Sequence, residues 1–161
     1  MFLNKRKVIF LTSIFLLVLL LTINDIKSQK FKVVDGDTIH LDGKKIRFSG
    51  IDTPELKQKC IKEGVKDYCG IKAKEILIEK IAQNKVECIS EGKDQYKRTL
   101  AECFVNNESL SSYLVRSGYA FAYRKYSDKF ITDEDYARVN KIGMWSMKFD
   151  YPWAYRKSKK N

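Results

Sequence analysis

The types and spacing of five side chains between positions 37 and 98 suit the attack of water on a phosphodiester. Asp37 and Asp52 provide carboxylate oxygens, which are the ligands that a hard divalent cation prefers. Glu55 provides a further carboxylate that can accept a proton from water. Arg47 and Arg98 carry planar guanidinium groups, which bind two phosphate oxygens at once and keep their charge. Together these residues predict a metal-dependent hydrolase of phosphodiester bonds.

Each of these residues, taken alone, also has a purely structural interpretation. Asp37 follows Asp35-Gly36, a sequence that is typical of a turn. Asp52 precedes Thr-Pro and can be a turn residue, and Arg47 can form a surface ion pair worth less than about 1 kcal/mol. The combination of all five residues, in this order, favours a functional site.

Three short segments follow one another along the chain. They are Val-Val-Asp-Gly-Asp-Thr at 33–38, Ile-Arg-Phe-Ser-Gly-Ile-Asp-Thr-Pro-Glu at 46–55 and Asp-Gln-Tyr-Lys-Arg-Thr-Leu-Ala at 94–101. With this order and spacing, the sequence resembles the thermonuclease (staphylococcal nuclease-like) family from about residue 31 to about residue 145. The resemblance implies a Ca²⁺-dependent nuclease on an OB-type barrel.

The resemblance also implies a role for each matching residue. The cation ligands would be two carboxylates and one backbone carbonyl group, those of Asp37, Asp52 and Thr53. Glu55 would act as the general base or would position the attacking water. Arg47 and Arg98 would hold the phosphate and stabilise the charge of the transition state.

One residue departs from the family pattern. Lys97 stands directly before Arg98, where the family usually has glycine. If the backbone needs a positive φ at this position, a lysine costs stability and shifts Arg98. The departure keeps open an alternative function, that of a catalytically weak or inactive nucleic-acid-binding module.

Aromatic and basic residues supply the predicted nucleotide contacts. By resemblance, Tyr96 lies beside the nucleotide, and Tyr123 is a second contact. Either Lys125 or Tyr126 takes the next contact, because the alignment around them contains gaps. Such a cluster offers rings for base stacking and positive charge for the backbone of a single strand. Alternatively, the rings pack on the barrel and only their hydroxyl groups face water.

The N-terminus differs in composition from the rest of the chain. Basic residues at 5–7 precede an uncharged apolar stretch at 8–23, which is typical of a secretory signal peptide. No Ala-x-Ala cleavage site follows, so a retained membrane anchor is the alternative, and either assignment covers residues 1–29. The positive flank predicts export of the remaining chain to the periplasm or the exterior. Membrane contact would occur only through this segment, if it is not cleaved.

Four cysteines lie in the predicted exported part, Cys60, Cys69, Cys88 and Cys103, and an even number there favours disulfide bonds. Cys88 and Cys103 are equally far from the midpoint of a predicted hairpin, which predicts their pairing and leaves Cys60 to pair with Cys69. Each bridge would add about 3 kcal/mol of stability. A zinc site is a weaker alternative, because Cys-x₂-Cys is absent and His40 is distant. Free buried cysteines are the alternative if the chain is not exported.

The pattern of elements predicts one domain at 30–156 and a disordered basic tail at 157–161. Alternation and turn residues predict strands at 31–41, 44–51, 86–90 and 99–105, and an extended piece at 119–123. Periodicity and capping residues predict helices at 71–82, from Ser109 or Ser111 to Ser117, and from a capping box at 132–135 to about Gly143. The segment 57–70 is predicted to be a loop. The expected fold is α+β, a five-stranded OB-fold β-barrel packed with two or three helices.

The leading prediction is an exported, monomeric nuclease that degrades DNA, and RNA as a second substrate, with little sequence specificity. Its cation would be Ca²⁺, with Mn²⁺ or Mg²⁺ as alternatives. The net charge of +11 suits a polyanionic substrate, although a soluble lysine-rich protein can carry such a charge without one. The competing functions are the nucleic-acid-binding module, tethered to the membrane, and a membrane-tethered scaffold with no catalytic site.

Overall fold

A computed structural model of the chain describes residues 29–160. The predicted signal peptide or anchor therefore lies outside the described residues, apart from Gln29. Among the helices of the described range, none combines the length and the apolar character that a membrane crossing needs.

Short strands and helices alternate through the described part of the chain. The strands are β1 (Phe31–Val33), β2 (Thr38–Leu41), β3 (Lys44–Phe48), β4 (Ile51–Asp52), β5 (Lys59–Lys62), β6 (Val65–Tyr68), β7 (Glu87–Lys93), β8 (Thr99–Val105), β9 (Glu108–Ser109) and β10 (Phe121–Ala122). The helices are α1 (Cys69–Ile81), α2 (Leu110–Arg116), α3 (Ile131–Val139) and α4 (Pro152–Ser158), with a 3₁₀-helix at Gly143–Ser146.

Five strands form one continuous sheet in the order β1-β2-β3-β8-β7, with β9 paired to β8. β3 and β8 are parallel, and the other neighbours are antiparallel. Two small separate sheets pair β10 with β4 and β5 with β6. The α+β class is confirmed, and residues 29–160 contain four α-helices where two or three are predicted. Within residues 29–160, no recorded strand pairing closes the sheet into a barrel.

The predicted strand at 31–41 is divided into β1 and β2, because a turn interrupts it. The side chain of Asp35 accepts a hydrogen bond from the backbone N–H of Asp37 at 3.1 Å. The backbone N–H of Val34 donates to the carbonyl of Thr38 at 2.9 Å. The chain therefore reverses here, β1 pairs antiparallel with β2, and Asp37 lies directly before β2.

The segment at 57–70, predicted to be a loop, contains the β5–β6 hairpin instead. Glu63 and Gly64 form its turn with φ angles of 52° and 83°, and positive φ at both central residues is what a tight hairpin turn of this type requires. All four residues of β6 are exposed. β6 therefore has no buried face that would produce an alternating pattern in the sequence, and β5 buries only Cys60.

Both predicted disulfides are present. Cys60 of β5 is bonded to Cys69 at the start of α1. Cys88 and Cys103 lie directly opposite each other on β7 and β8 and are also bonded. The first bridge fixes the β5–β6 hairpin to α1, and the second crosses the edge of the main sheet.

The main core lies between the sheet and helices α1 and α2. Its buried side chains include Ile39 and Phe48 from the sheet and Leu77 and Leu114 from the helices. A smaller cluster around Phe121 joins the first disulfide to the C-terminal part of the chain. Burial of these apolar groups supplies the main driving force for folding and gives the strands that carry the site a rigid support.

The first residues of helices α1, α2 and α3 can be compared with their predicted starts. α1 begins at Cys69, two residues before the predicted start. The hydroxyl of Ser109 caps α2 by accepting a hydrogen bond from the backbone N–H of Ser112 at 3.3 Å, so the earlier of the two predicted starts is right. The predicted capping box of α3 at 132–135 is wrong, because no side chain caps this helix. Asp133 accepts a hydrogen bond from the Ser112 hydroxyl instead, at 2.7 Å.

Helix α4 is absent from the predicted elements. Pro152 lies at its first position, where a missing N–H leaves no helical hydrogen bond unmade. The helix extends through Ser158, two residues into the tail that was predicted to be disordered. Upstream of it, Lys148 exchanges two backbone hydrogen bonds of 2.9 Å with Ile61 of β5. The segment that leads into α4 is therefore attached to the β5–β6 hairpin.

Candidate active site

An open cavity of about 900 Å³ lies between the turn before β2, strand β4, the β7–β8 turn and helix α4. All the residues predicted to be catalytic or to bind metal line it, namely Asp37, Arg47, Asp52, Thr53, Glu55 and Arg98. Separate elements supply them, because the β2–β3 hairpin and the parallel β3–β8 pair bring distant parts of the chain to one place.

Arg47 connects two buried carboxylates. Its Nη1 lies 2.5 Å from Oδ1 of Asp37, and its Nη2 lies 3.1 Å from Oδ1 of Asp52. Only 2% of Asp37 and 1% of Asp52 is exposed. Burial raises the pKa of the Asp37 carboxyl to about 7, against the opposing effect of Arg47. Burial acts to lower the pKa of Arg47, but the charges of Asp37 and Asp52 raise it overall.

The residues around Asp37 and Asp52 fit a hard divalent cation. The two carboxylates are close enough to share one guanidinium, and carboxylate oxygens are the ligands that such cations take. The backbone N–H of Thr53 donates to Oδ2 of Asp37 at 3.2 Å, which places Thr53 beside them. Residues 29–160 contain no group of three or more His, Cys, Asp or Glu placed to hold a metal ion.

Glu55 lies on a loop that a buried glutamine holds in place. The Glu55 carboxylate side chain is 45% exposed, so water reaches it. Gln58 is fully buried; its backbone N–H donates to the Glu55 carbonyl at 2.7 Å, and its Oε1 accepts from the Glu55 backbone N–H at 3.3 Å. The Nε2 of Gln58 donates to the carbonyl of Asp150 at 2.7 Å. Gln58 is absent from the predicted site, since its predicted loop gave no sign that it is buried.

Arg156 of α4 is a second site residue that is absent from the predicted set. Its Nη2 lies 2.7 Å from Oδ2 of Asp52, and its Nη1 lies 3.0 Å from Oε1 of Glu55. Burial acts to lower the pKa of Arg156, but its hydrogen bonds with Asp52 and Glu55 raise it overall. Arg156 lies 104 positions after Asp52 and outside the three matching segments, so no local signal points to it.

Arg98 is oriented by Asp94 in the β7–β8 turn. The Nε of Arg98 donates to Oδ2 of Asp94 at 2.6 Å, and the backbone N–H groups of Tyr96 and Arg98 donate to Oδ1 at 2.9 Å each. Within residues 29–160, no hydrogen bond is recorded for the two Nη groups of Arg98. Lys97 has a φ of 62°, so the departure from glycine does fall at a left-handed position.

Three of the four predicted nucleotide contacts line the cavity, Tyr96, Tyr123 and Tyr126. Tyr96 and Tyr126 are 71% and 68% exposed. The ring of Tyr123 meets Tyr126 edge-on at 4.8 Å and lies parallel to Trp153 at 6.3 Å between centroids. Lys125 does not line the cavity, and its Nζ lies 5.4 Å from the centroid of the Tyr126 ring. Of the two alternatives for the next nucleotide contact, Tyr126 lines the cavity and Lys125 does not.

The chain is similar in sequence to known nucleases. Residues 45–147 match the family model described as staphylococcal nuclease homologue. An uncharacterized endonuclease of Haemophilus influenzae is 31% identical over 122 residues, which cover 71% of this chain and 64% of that protein. Endonuclease YncB of Bacillus subtilis is 32% identical over 127 residues, 71% of this chain and 59% of the relative. Staphylococcal-like nuclease CAN1 of Arabidopsis thaliana is 27% identical over 119 residues, 72% of this chain and 34% of the relative. The chain therefore spans less than two thirds of the length of each of these three proteins.

Proposed function

Because the chain belongs to the staphylococcal nuclease homologue family, we propose that it is a metal-dependent nuclease. It hydrolyses phosphodiester bonds of DNA, and of RNA as a second substrate, with little sequence specificity. One observation carries the proposal: three acidic residues and two arginines of the predicted hydrolytic set line the same open cavity. Exposed tyrosines at its edge suit a nucleic-acid strand, because rings accept any base by stacking.

The two arginines bind the phosphate and stabilise its charge. Asp94 already orients Arg98, so little side-chain freedom is lost when a phosphate binds. Arg47 holds the carboxylates of Asp37 and Asp52 together and adds a fixed positive charge beside them. Guanidinium groups keep their charge and therefore stabilise the negative charge that develops on phosphate oxygens during the reaction.

Asp37, Asp52 and the backbone carbonyl of Thr53 would hold the divalent cation. We favour Ca²⁺ over Mn²⁺ and Mg²⁺, because Ca²⁺ accepts irregular oxygen sites and Mg²⁺ demands a nearly ideal octahedron. When bound, such a cation would offset the negative charge of the phosphodiester and polarise its oxygens. The burial of both aspartates supports this assignment, since buried carboxylates need positive partners.

Glu55 is the general base in this proposal. Its half-exposed carboxylate is open to water, and the loop that carries it also carries Thr53. Glu55 accepts a proton from the water molecule whose oxygen forms a new bond to phosphorus. The bond from phosphorus to the leaving oxygen breaks, and the leaving oxygen takes a proton from bulk water. The hydrogen bonds of Gln58 fix the backbone of Glu55, so the point from which its side chain extends is set before substrate binds.

We also propose that the domain acts outside the cytoplasm as a monomer. Two disulfides support this location, because such bonds persist in oxidising compartments. The N-terminal segment at 1–29 would direct export or would retain the domain at the outer face of the membrane. A single chain supplies all the proposed site residues, so a monomer suffices.

The test is degradation of single-stranded DNA by the full chain in Ca²⁺, in Mg²⁺, in Mn²⁺ and in EDTA, with and without Glu55→Gln. Glutamine keeps the shape of the side chain but cannot accept the proton, so we expect a rate at least about 100-fold lower. Glu79→Gln is the matched control, because Glu79 is exposed on α1 and does not line the cavity. This control should cleave DNA at the wild-type rate.

Lys97 supports one second candidate, a nucleic-acid-binding module without catalysis. Its left-handed backbone conformation is unfavourable for lysine and lies next to Arg98. Salt-sensitive DNA binding without cleavage in any of the three cations would identify this function and contradict the nuclease.

A further inference from the structure

The C-terminal helix α4 places one guanidinium on the carboxylates of the candidate site. Both oxygens of Asp52 accept hydrogen bonds from Arg156, at 3.2 Å for Oδ1 and 2.7 Å for Oδ2. Arg47 also donates to Oδ1 of Asp52, at 3.1 Å. Because only 1% of Asp52 is exposed, arginine nitrogens take the place of water on both oxygens.

Arg156 and Arg47 differ in how firmly the fold holds them. The Arg47 side chain is 19% exposed and belongs to a central strand of the main sheet. The Arg156 side chain is 36% exposed and belongs to a seven-residue helix near the end of the described range. A partly exposed cation can exchange its protein partners for water at a smaller cost than a buried one. Arg156 is therefore the contact on Asp52 that can be released.

We propose that Arg156 is a displaceable substitute for the catalytic cation. In the cation-free protein it balances the charges of Asp52 and Glu55, and it leaves Asp52 when a divalent cation binds. The two cations compete because they require the same carboxylate oxygens and repel each other at short distance. The inference rests on the proposed function, since it treats Asp52 as a cation ligand.

The displacement would also affect the hydrogen bond between Arg156 and Glu55. The same Nη1 group of Arg156 donates to Oε1 of Glu55 at 3.0 Å and to Oδ1 of Asp52 at 3.2 Å. If Arg156 leaves both carboxylates together, Oε1 of Glu55, the proposed general base, is freed as well.

Calorimetric titration of the full chain with Ca²⁺, without substrate, tests this competition. Arg156→Ala should bind Ca²⁺ about tenfold more tightly than the wild type, because the charge-assisted hydrogen bonds of the competitor are gone. Lys157→Ala is the matched control, since it removes the same charge from the next position of α4 and Lys157 does not line the cavity. Its affinity should stay within about twofold of the wild type.

Thermal unfolding provides a second readout that does not depend on catalysis. Arg156→Ala should lower Tm in EDTA, because Asp52 and Glu55 lose a partner, and should lose most of this deficit in saturating Ca²⁺. Arg156→Lys keeps a charge but lacks the planar fork that spans both carboxylates. The Ca²⁺ affinity of Arg156→Lys should lie between those of the wild type and Arg156→Ala. If the alanine variant does not fold, the lysine variant alone tests the competition.

Unchanged or weaker Ca²⁺ binding by the folded Arg156 variants would show that Arg156 does not compete with Ca²⁺ for Asp52, even if the wild type cleaves DNA. A wild type that cleaves no DNA in any cation would contradict the proposed function separately. In that case, tighter Ca²⁺ binding by the variants would still support the displacement of Arg156.

Discussion

Asp94 accepts two hydrogen bonds from Arg98, one from the side-chain Nε at 2.6 Å and one from the backbone N–H at 2.9 Å. A single carboxylate thus fixes both the backbone and the guanidinium of an arginine four positions later. The backbone N–H of Tyr96 donates to the same carboxylate, so Asp94 organises the whole turn between β7 and β8. The phosphate contact proposed for Arg98 depends on this support.

Replacement of Asp94 by asparagine should weaken both the turn and the proposed phosphate contact. The charge-assisted bonds to Arg98 become neutral, so we expect a loss of about 1–2 kcal/mol in the free energy of unfolding. DNA cleavage should slow about tenfold, because Arg98 is no longer oriented. Asp135→Asn is the control, since its ion pair with Arg138 on α3 is exposed and should be nearly neutral. Chemical denaturation and steady-state cleavage rates measure the two effects.

The same carboxylate predicts a pH dependence of stability. Burial acts to raise the pKa of Asp94, but its hydrogen bonds with Arg98 and Tyr96 lower it overall. A lowered carboxyl pKa stabilises the fold above the unfolded value of about 3.9, and this contribution is lost as the pH falls through the folded value. The stability difference between the wild type and Asp94→Asn should therefore be constant from about pH 7 to 5 and shrink below about pH 4. A difference that grows on acidification would contradict the proposed contact.

Lys97→Gly should stabilise the domain. Lys97 has a φ of 62°, a region that costs a residue with a Cβ about 1–2 kcal/mol, while glycine adds freedom to the unfolded chain. We expect a net gain of up to about 1 kcal/mol, measured as a higher Tm. Glu63→Gly, at a φ of 52° in the β5–β6 turn, should give a similar gain at a position outside the cavity lining. A lower Tm for Lys97→Gly alone would mean that the lysine side chain makes a stabilising contact.

The features that the sequence predicted depend on residues close together in the chain. The turn at Asp42-Gly43 lies between the strands predicted at 31–41 and 44–51, and it joins β2 to β3 with φ angles of 47° and 81°. The signal for such a hairpin lies in the two turn residues themselves. The pairing of Cys88 with Cys103 follows from their equal distance to the midpoint of the turn that lies between them. Glu63-Gly64 carries a related signal for the β5–β6 turn, because glycine again occupies the second turn position.

The features that the sequence could not predict depend on distant partners. Gln58 is buried because its side chain bonds to the carbonyl of Asp150, 92 positions away. Arg156 reaches Asp52 from a helix whose preceding segment pairs with β5. A polar residue in a loop and an arginine in a basic C-terminus can each take many roles. Only the tertiary fold decides that these two residues belong to the site.

The two disulfides should contribute differently to the site. Cys60–Cys69 holds the β5–β6 hairpin, and this hairpin holds the segment that leads into α4. Replacing either pair by serine should cost about 3 kcal/mol. Loss of Cys60–Cys69 should also speed amide hydrogen exchange at residues 148–158, whereas loss of Cys88–Cys103 should leave exchange there unchanged. Equal protection of this segment in both double variants would show that the hairpin does not hold it.

Gly70, in the first turn of α1, leaves room for the backbone of the proposed general base. A Cβ at this position would stand 2.0 Å from the carbonyl oxygen of Glu55 and 2.4 Å from its carbonyl carbon. These are backbone atoms, so the loop that carries Glu55 would have to move. Gly70→Ala should therefore cost about 1–3 kcal/mol of stability and slow DNA cleavage by about tenfold or more. Lys72→Ala, which removes only an exposed ion pair with Glu75 on the same helix, should leave both quantities near the wild type. A Gly70→Ala protein that is less stable but cleaves at the native rate would show that catalysis does not depend on this position of Glu55.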